Sequence, residues 1–166
     1  VILPPKIVWF KSEKILDEYD IVHLCKKQIQ KLYYKKIIVW CGIIEQCIYL
    51  SEIWKIYFPN YLVCIDTSKT NDNLYDEFCR KENSAILFCA SKHREGSDIK
   101  NLDCCIFLDG VENRNSKTFV QCVGRVLRKD YLNKKEYGLV LDLKANSCIK
   151  ICDRMNEYLS LSLIHI

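Results

Sequence analysis

Lys36-Ile37-Ile38-Val39-Trp40-Cys41, followed by Gly42, is the stretch on which the fold turns. It is almost wholly apolar and β-branched, without the alternation of a strand that has one wet face, so it reads as a strand covered on both sides. After Gly42, the residues Ile44 to Phe58 carry Ile44, Ile48, Tyr49, Ile53 and Tyr57 near helical spacing, and Pro59-Asn60 stops the run. The same alternation repeats. Tyr61 to Asp66 predicts a second buried strand, and Asn71 or Asp72 can cap a helix carrying Leu74 and Phe78. Ser84 to Cys89 predicts a third strand and Cys104 to Asp109 a fourth. A helix from about Ser116 to Arg128, a fifth strand from Tyr137 to Leu143 and a closing helix from Asn146 to about Leu159 complete the series. Glu13 to Tyr34 predicts a long helix ahead of it. Strands alternating with helices give an α/β fold, a parallel sheet flanked by helices, as one domain over residues 11–160.

The chain of 166 residues is 49% apolar and 28% charged, a globular composition that excludes a disordered or low-complexity chain. No apolar run approaches the roughly 20 residues of a membrane-spanning helix, so a soluble protein without a membrane partner is expected. The net charge of +4 permits contact with nucleic acid without demanding it. The basic residues are unevenly chosen: six are Arg and nineteen Lys, beside many Ile, Asn and Tyr, the imprint of an AT-rich genome. Four of the six Arg (Arg94, Arg114, Arg125 and Arg128) fall between positions 94 and 128. Arg grips phosphate through a planar fork that Lys cannot copy, so this window is where that geometry matters. Eleven Cys without a signal peptide or a Cys-x-x-Cys pair read as reduced, buried thiols of an intracellular, cytoplasmic protein that is not secreted. No metal site is expected.

Both ends read as cut. Residues 1–10, with Pro4-Pro5, read as an extended connector. Leu161 to Ile166 can be encoded by the transposon end used in preparing sequencing libraries, so residues 161–166 are expected to be adapter read-through, and His165 receives no role.

In a parallel sheet, ligands sit beyond the carboxyl ends of the strands. Here those ends are Gly42, Asp66 to Ser68, Ala90 to Lys92, and Asp109 to Gly110, all small or polar as a site rim would be. The strongest chemical signal is Gln121-Cys122-Val123-Gly124-Arg125-Val126-Leu127-Arg128. On a helix Gln121, Gly124, Arg125 and Arg128 would share one face. An amide, a glycine and two guanidiniums make a poor core face and a good phosphate grip; the plainer alternative is a solvated basic helix end. The second signal is Ser84 to Asp109, a strand, a polar loop with Arg94-Glu95-Gly96-Ser97-Asp98, and another strand. The loop is expected to bring a carboxylate and a glycine to the rim.

With these residues in hand, the sequence resembles the second RecA-like domain of superfamily 2 helicases over roughly Pro4 to Leu159. Ala85 to Ile99, with Gly96-Ser97-Asp98-Ile99, resembles that family's motif V, and Gln121 to Arg128 resembles motif VI at all four fixed positions. Lys36 to Gly42 stands where motif IV would. The wording from His93 to Arg128, with Asp109 and Glu112-Asn113-Arg114-Asn115 between the motifs, looks most like helicases of giant DNA viruses, which would place the protein in a viral factory or host cytoplasm.

The resemblance implies ATP bound between two RecA-like lobes, with Mg2+ held mainly by the N-terminal lobe of the same full-length chain. Arg128 would be the arginine finger, Arg125 a second γ-phosphate contact, and Gln121 a positioning group. Asp98 would bond the ribose or steady Arg125, while Gly96 and Gly124 would let backbone or phosphate approach. Ser91, Lys92 and Gly42 would touch the backbone of DNA or RNA. Two departures stand out: Glu95 precedes the motif V glycine where many relatives have Arg, and Ala90-Ser91 stands where a Thr is common. Residues 1–166 contain no Gly-x-x-x-x-Gly-Lys-Ser/Thr and no Asp-Glu-x-His box, so this chain alone is expected to hydrolyse no ATP. The alternative is a RecA-like nucleic-acid or protein binding module that works without hydrolysis.

Overall fold

The computed structural model describes residues 2–9, 16–90, 99–108 and 123–143. The chain opens with strand β1 (Pro5–Trp9) and helix α1 (Glu18–Ile29), then alternates through β2 (Lys36–Cys41), α2 (Ile44–Tyr57), β3 (Leu62–Asp66), α3 (Asp72–Arg80) and β4 (Ala85–Ala90). Two further strands, β5 (Cys104–Phe107) and β6 (Gly138–Asp142), follow. The six strands form one parallel sheet in the order β1-β6-β5-β2-β4-β3.

β2 is central, paired with β4 on one side (Lys36 with Ala85) and with β5 on the other (Ile37 with Cys104). Its side chains go alternately to two cores. Ile37, Val39 and Cys41 meet α1 and α2, which contribute Val22, Cys25, Leu50 and Trp54. Ile38 faces the other way, with Cys105, Val140, Tyr75 and Phe78 of α3, and Val123, Val126 and Leu127. Each face of the sheet is therefore roofed, which is why its strands read as unbroken apolar runs.

Several boundaries differ from the sequence reading, each for a local reason. α1 starts at Glu18, not Glu13, because Asp17 caps it: the Asp17 carboxylate accepts from the Asp20 N–H at 2.8 Å, and Asp20 returns the bond. It stops at Ile29 rather than Tyr34, as the chain turns through Lys35 at φ 53 into β2. The Asp103 carboxylate holds that turn, accepting from the N–H groups of Tyr34, Lys35 and Lys36 at 2.9, 3.1 and 2.9 Å. In α2 the buried face is Cys47, Leu50, Ser51, Ile53 and Trp54, while Ile48 and Tyr49 are half exposed. The Tyr49 hydroxyl donates to Glu18 at 2.7 Å, so the polar end of that ring is used at the surface. Residues 5–9, read as extended connector, are extended and pair along β6 as the edge strand. The closing helix over 146–159 and residues 161–166 lie outside the described residues. Among the described residues no helix is long and apolar enough to cross a membrane.

Candidate functional site

Two loci emerge, on opposite edges of the sheet. The first is the carboxyl rim. Register places the ends of β2, β3 and β4 side by side, Cys41 opposite Ala90 and Asp66 opposite Cys89. Beyond β2, Gly42 is exposed and its N–H donates to the Gln46 side chain at 2.9 Å. α2 begins at once, its N-cap Ile43 offering no side-chain acceptor, so the first N–H groups of that helix face the rim. At the end of β3, Asp66 is buried, as is Thr67 just beyond it, and Thr67 and Thr70 close a tight turn, the Thr67 N–H donating to the Thr70 hydroxyl at 2.8 Å. Gly42 thus stands where expected. Ser91, Lys92 and residues 109–110 lie outside the described residues, as do Gly96 and Asp98.

The second locus holds the arginines. Residues 123–126 are helical, and Val123, Val126 and Leu127 are fully buried against the sheet. The helix does not reach Arg128 as the spacing suggested. It ends because tertiary pairing takes over: the Leu127 carbonyl accepts from the Leu3 N–H at 2.8 Å, and Arg128 forms an antiparallel bridge with Ile2. Arg128 is therefore not on one helix face with Gly124 and Arg125. It nevertheless lines the same cavity as Arg125, about 280 Å3, walled on the other side by Ile99 to Leu102. Gln121 lies outside the described residues.

The cavity opens where β5 and β6 begin, not at the carboxyl rim, since Leu102 precedes β5 and Lys135 precedes β6. The rim expected from the sequence is at the carboxyl ends of the strands, and this cavity is at the other end. Its charge is strongly positive: Lys100, Arg125, Arg128, Lys129 and Lys135 line it, with Asp130 as the acidic member. Asp130 is already engaged, accepting from the Tyr34 hydroxyl and from the N–H groups of Lys134 and Lys135 at 2.8 and 3.0 Å. Burial raises its carboxyl, but those donors outweigh burial and hold it at about 2. Arg125 is 9% exposed, whereas Arg128 is exposed.

The two glycines nearby have different reasons. A Cβ built on Gly124 would meet no atom of the described residues within 4 Å. At Gly138 a Cβ would stand 2.5 Å from the Val126 carbonyl oxygen, so β6 can begin against the arginine turn only as glycine. Sequence reasoning missed Gly138, and it missed two buried lysines. Lys36 donates to the Cys79 and Lys81 carbonyls at 3.0 and 2.6 Å, closing the end of α3. Lys135 donates to the carbonyls of Leu102, Val126 and Arg128. Desolvation lowers both ammonium groups to about 8. No spacing rule marks such lysines, because their partners are main-chain carbonyls from distant segments.

Arg125 and Arg128 both line one cationic cavity, a setting that suits a phosphate group. Among the described residues no group of three or more His, Cys, Asp or Glu is placed to hold a metal ion.

Residues 20–130 match the model of the helicase conserved C-terminal domain. No curated protein matches the chain. Among solved structures, the chain is similar to Mss116p DEAD-box helicase domain 2 bound to an RNA duplex, at 21% identity and TM-score 0.60 over 84% of this chain. It spans 54% of the length of that protein. It is also similar to a C-terminal domain of S. cerevisiae Dbp5 bound to Gle1 and IP6, at 14% identity and TM-score 0.67, covering 96% of this chain and 86% of that one. A third is the E. coli DEAD-box protein SrmB bound to regulator of ribonuclease activity A, at 12% identity and TM-score 0.60, covering 89% and 80%. At these identities the likeness speaks to fold. The parallel sheet with helices on both faces is the RecA-like fold expected from the sequence.

Proposed function

Because the chain belongs to the helicase conserved C-terminal domain family, we propose that it is the C-terminal motor lobe of an ATP-dependent nucleic-acid helicase or translocase. The observation that carries this reading is the pairing of Arg125 and Arg128 in one cationic cavity, beside the segment that follows Asp98. An N-terminal RecA-like lobe of the same full-length protein supplies the phosphate loop and holds Mg2+. In the closed cleft, ATP supplies the scissile γ-phosphoryl group. Arg128, which is exposed, is the arginine finger, and Arg125, which is buried, is the second contact. Their fixed positive charge stabilises charge that grows on the phosphoryl oxygens, an electrostatic contribution to transfer. Gly124, which carries no side chain, admits close approach of the facing lobe or the phosphate itself. Gln121, Gly96 and Asp98 keep the roles the resemblance implies.

The carboxyl rim is the nucleic-acid track. Gly42 with the uncapped start of α2, together with Ser91 and Lys92, offers donors to backbone phosphates of DNA or RNA, contacts that position a strand without reading it. The rim lies at the carboxyl ends of the strands and the arginine cavity at the amino ends of β5 and β6, so closure on ATP at one locus would move a strand held at the other. The wording of residues 93–128 supports a giant DNA virus source, and with it an intracellular, cytoplasmic site of action.

The test is ATP hydrolysis by the full-length protein with and without single-stranded nucleic acid. Stimulated turnover that falls by about a thousandfold in Arg128→Ala agrees with an arginine finger. Full turnover in Arg128→Ala overturns the role of the arginines. No turnover by the intact wild-type protein leaves the binding-module reading in its place.

A further inference from the structure

We infer that Lys135 is the positioning residue of the arginine cavity: its ammonium joins the chain that carries Arg125 and Arg128 to the opposite wall, and so sets where the two guanidiniums stand. This rests on the reading that those arginines meet phosphate. Lys135 lies beyond the matched residues 20–130, and nothing in its sequence neighbourhood marks it.

The geometry is specific. An ammonium has three N–H donors, and Lys135 uses all three on main-chain carbonyls: Leu102 at 2.7 Å, Val126 at 2.8 Å and Arg128 at 2.8 Å. Leu102 belongs to the wall that precedes β5. Val126 is the last helical residue of the arginine segment, and Arg128 lies past the turn. One buried cation thus grips both sides of the Leu127 turn and the wall across from it. With its donors spent, Lys135 has none to give a phosphate, so it acts through Arg125 and Arg128 and not beside them.

The surroundings hold Lys135 in turn. Its own N–H donates to Asp130, which also accepts from Tyr34 of the loop after α1. Asp103, ahead of β5, and Asp130 are the carboxylates that favour its charge against the cost of burial. A lysine ammonium at the carbonyl end of a helix is favourable on dipole grounds as well.

The experiment uses the full-length protein and ATP turnover at saturating nucleic acid. Wild type and Arg128→Ala come first: equal turnover there fails the reading of the arginines, and Lys135 then has nothing to position. Given an Arg128→Ala defect, Lys135→Arg decides. It keeps a cation in place, but a planar fork cannot superimpose on three convergent carbonyls. We expect kcat to fall about tenfold, with KM for ATP within about twofold and the melting temperature within a few degrees, because small misplacements of a phosphate contact are costly. Lys135→Met should lose at least as much; where it does not fold, Lys135→Arg alone stands. Wild-type kcat in Lys135→Arg overturns the inference. So does a raised KM with intact kcat, which would mean direct contact with the nucleotide. A defect that disappears on cooling well below the melting temperature also overturns it, since that is stability alone.

Discussion

Gly138 begins β6 with its Cα so close to Val126 that a Cβ would stand 2.5 Å from the Val126 carbonyl oxygen and 2.8 Å from Leu127 Cδ2. The last helical turn before Arg128 is therefore seated directly on a strand of the sheet. That seat anchors the segment before Arg128, and Val126 and Leu127 are themselves fully buried on the α3 face.

Gly138→Ala should consequently damage both stability and turnover. The contact is to backbone, which cannot rotate away, so overpacking of about 2–3 kcal/mol is expected in urea denaturation. The shift must be absorbed by the 126–128 segment, so turnover of the full-length protein should fall more than that of a control of equal stability, such as a conservative change at Ile29. Equal losses in the two would mean that the seat matters only for folding.

The sheet was legible in the sequence because buried parallel strands announce themselves as short apolar runs, and Lys36–Cys41, Ala85–Ala90 and Cys104–Phe107 all do. β1 was not, since Pro4-Pro5 masks an edge strand whose partner, β6, lies more than a hundred residues away. Helix ends were legible where a side chain caps locally, as Asn71 does for α3 through its bond to the Asn73 N–H. They were not legible where a distant segment ends the helix, as Ile2 and Leu3 do at Arg128. The chemistry of Arg125 and Arg128 could be read from residue type and spacing, but their shared cavity is made by residues 99–102, and no periodicity links the two stretches. Lys36, Lys135 and Asp103 look like surface residues in sequence and are buried, each satisfied by main-chain groups.

Asp130 predicts an acid-dependent contribution to stability. Its folded carboxyl sits at about 2 against an ordinary 3.8, so the folded state holds the proton less tightly than the unfolded state. The stabilisation is fully present above about pH 4 and is lost as pH falls toward 2. Asp130→Asn should therefore melt below wild type at pH 5 and above, with the gap closing between pH 4 and pH 2. Asp103, which burial raises to about 6, titrates in both proteins and cancels from the difference. A gap that is constant with pH would mean that the Tyr34 and main-chain bonds do not depend on the carboxylate charge.

Residues 1–166 alone should hydrolyse no ATP, with or without nucleic acid, because they contain no phosphate loop and no acidic box. The purified chain would be assayed for phosphate release against an Arg128→Ala control. Turnover that the control abolishes would mean that the missing chemistry is supplied from within these residues, and the two-lobe reading would fall.

Arg125 and Arg128 should separate when each is changed to Ala in the full-length protein. Arg125 is 9% exposed and sits among fully buried neighbours, so its removal takes away packing as well as charge. Arg128 is exposed on a segment held by main-chain bonds, the Leu127 carbonyl to Leu3 and its own carbonyl to Lys135. Those bonds survive truncation of the Arg128 side chain. Arg128→Ala should accordingly lose turnover while its urea midpoint falls less than that of Arg125→Ala. Arg125→Ala should lose turnover and about 1–3 kcal/mol of stability together. Arg125→Lys keeps a charge and most of the stem but not the fork, and should recover stability more than turnover. If Arg125→Lys instead restored turnover in full, a point charge would suffice at that position, and the bidentate grip proposed for Arg125 would be withdrawn.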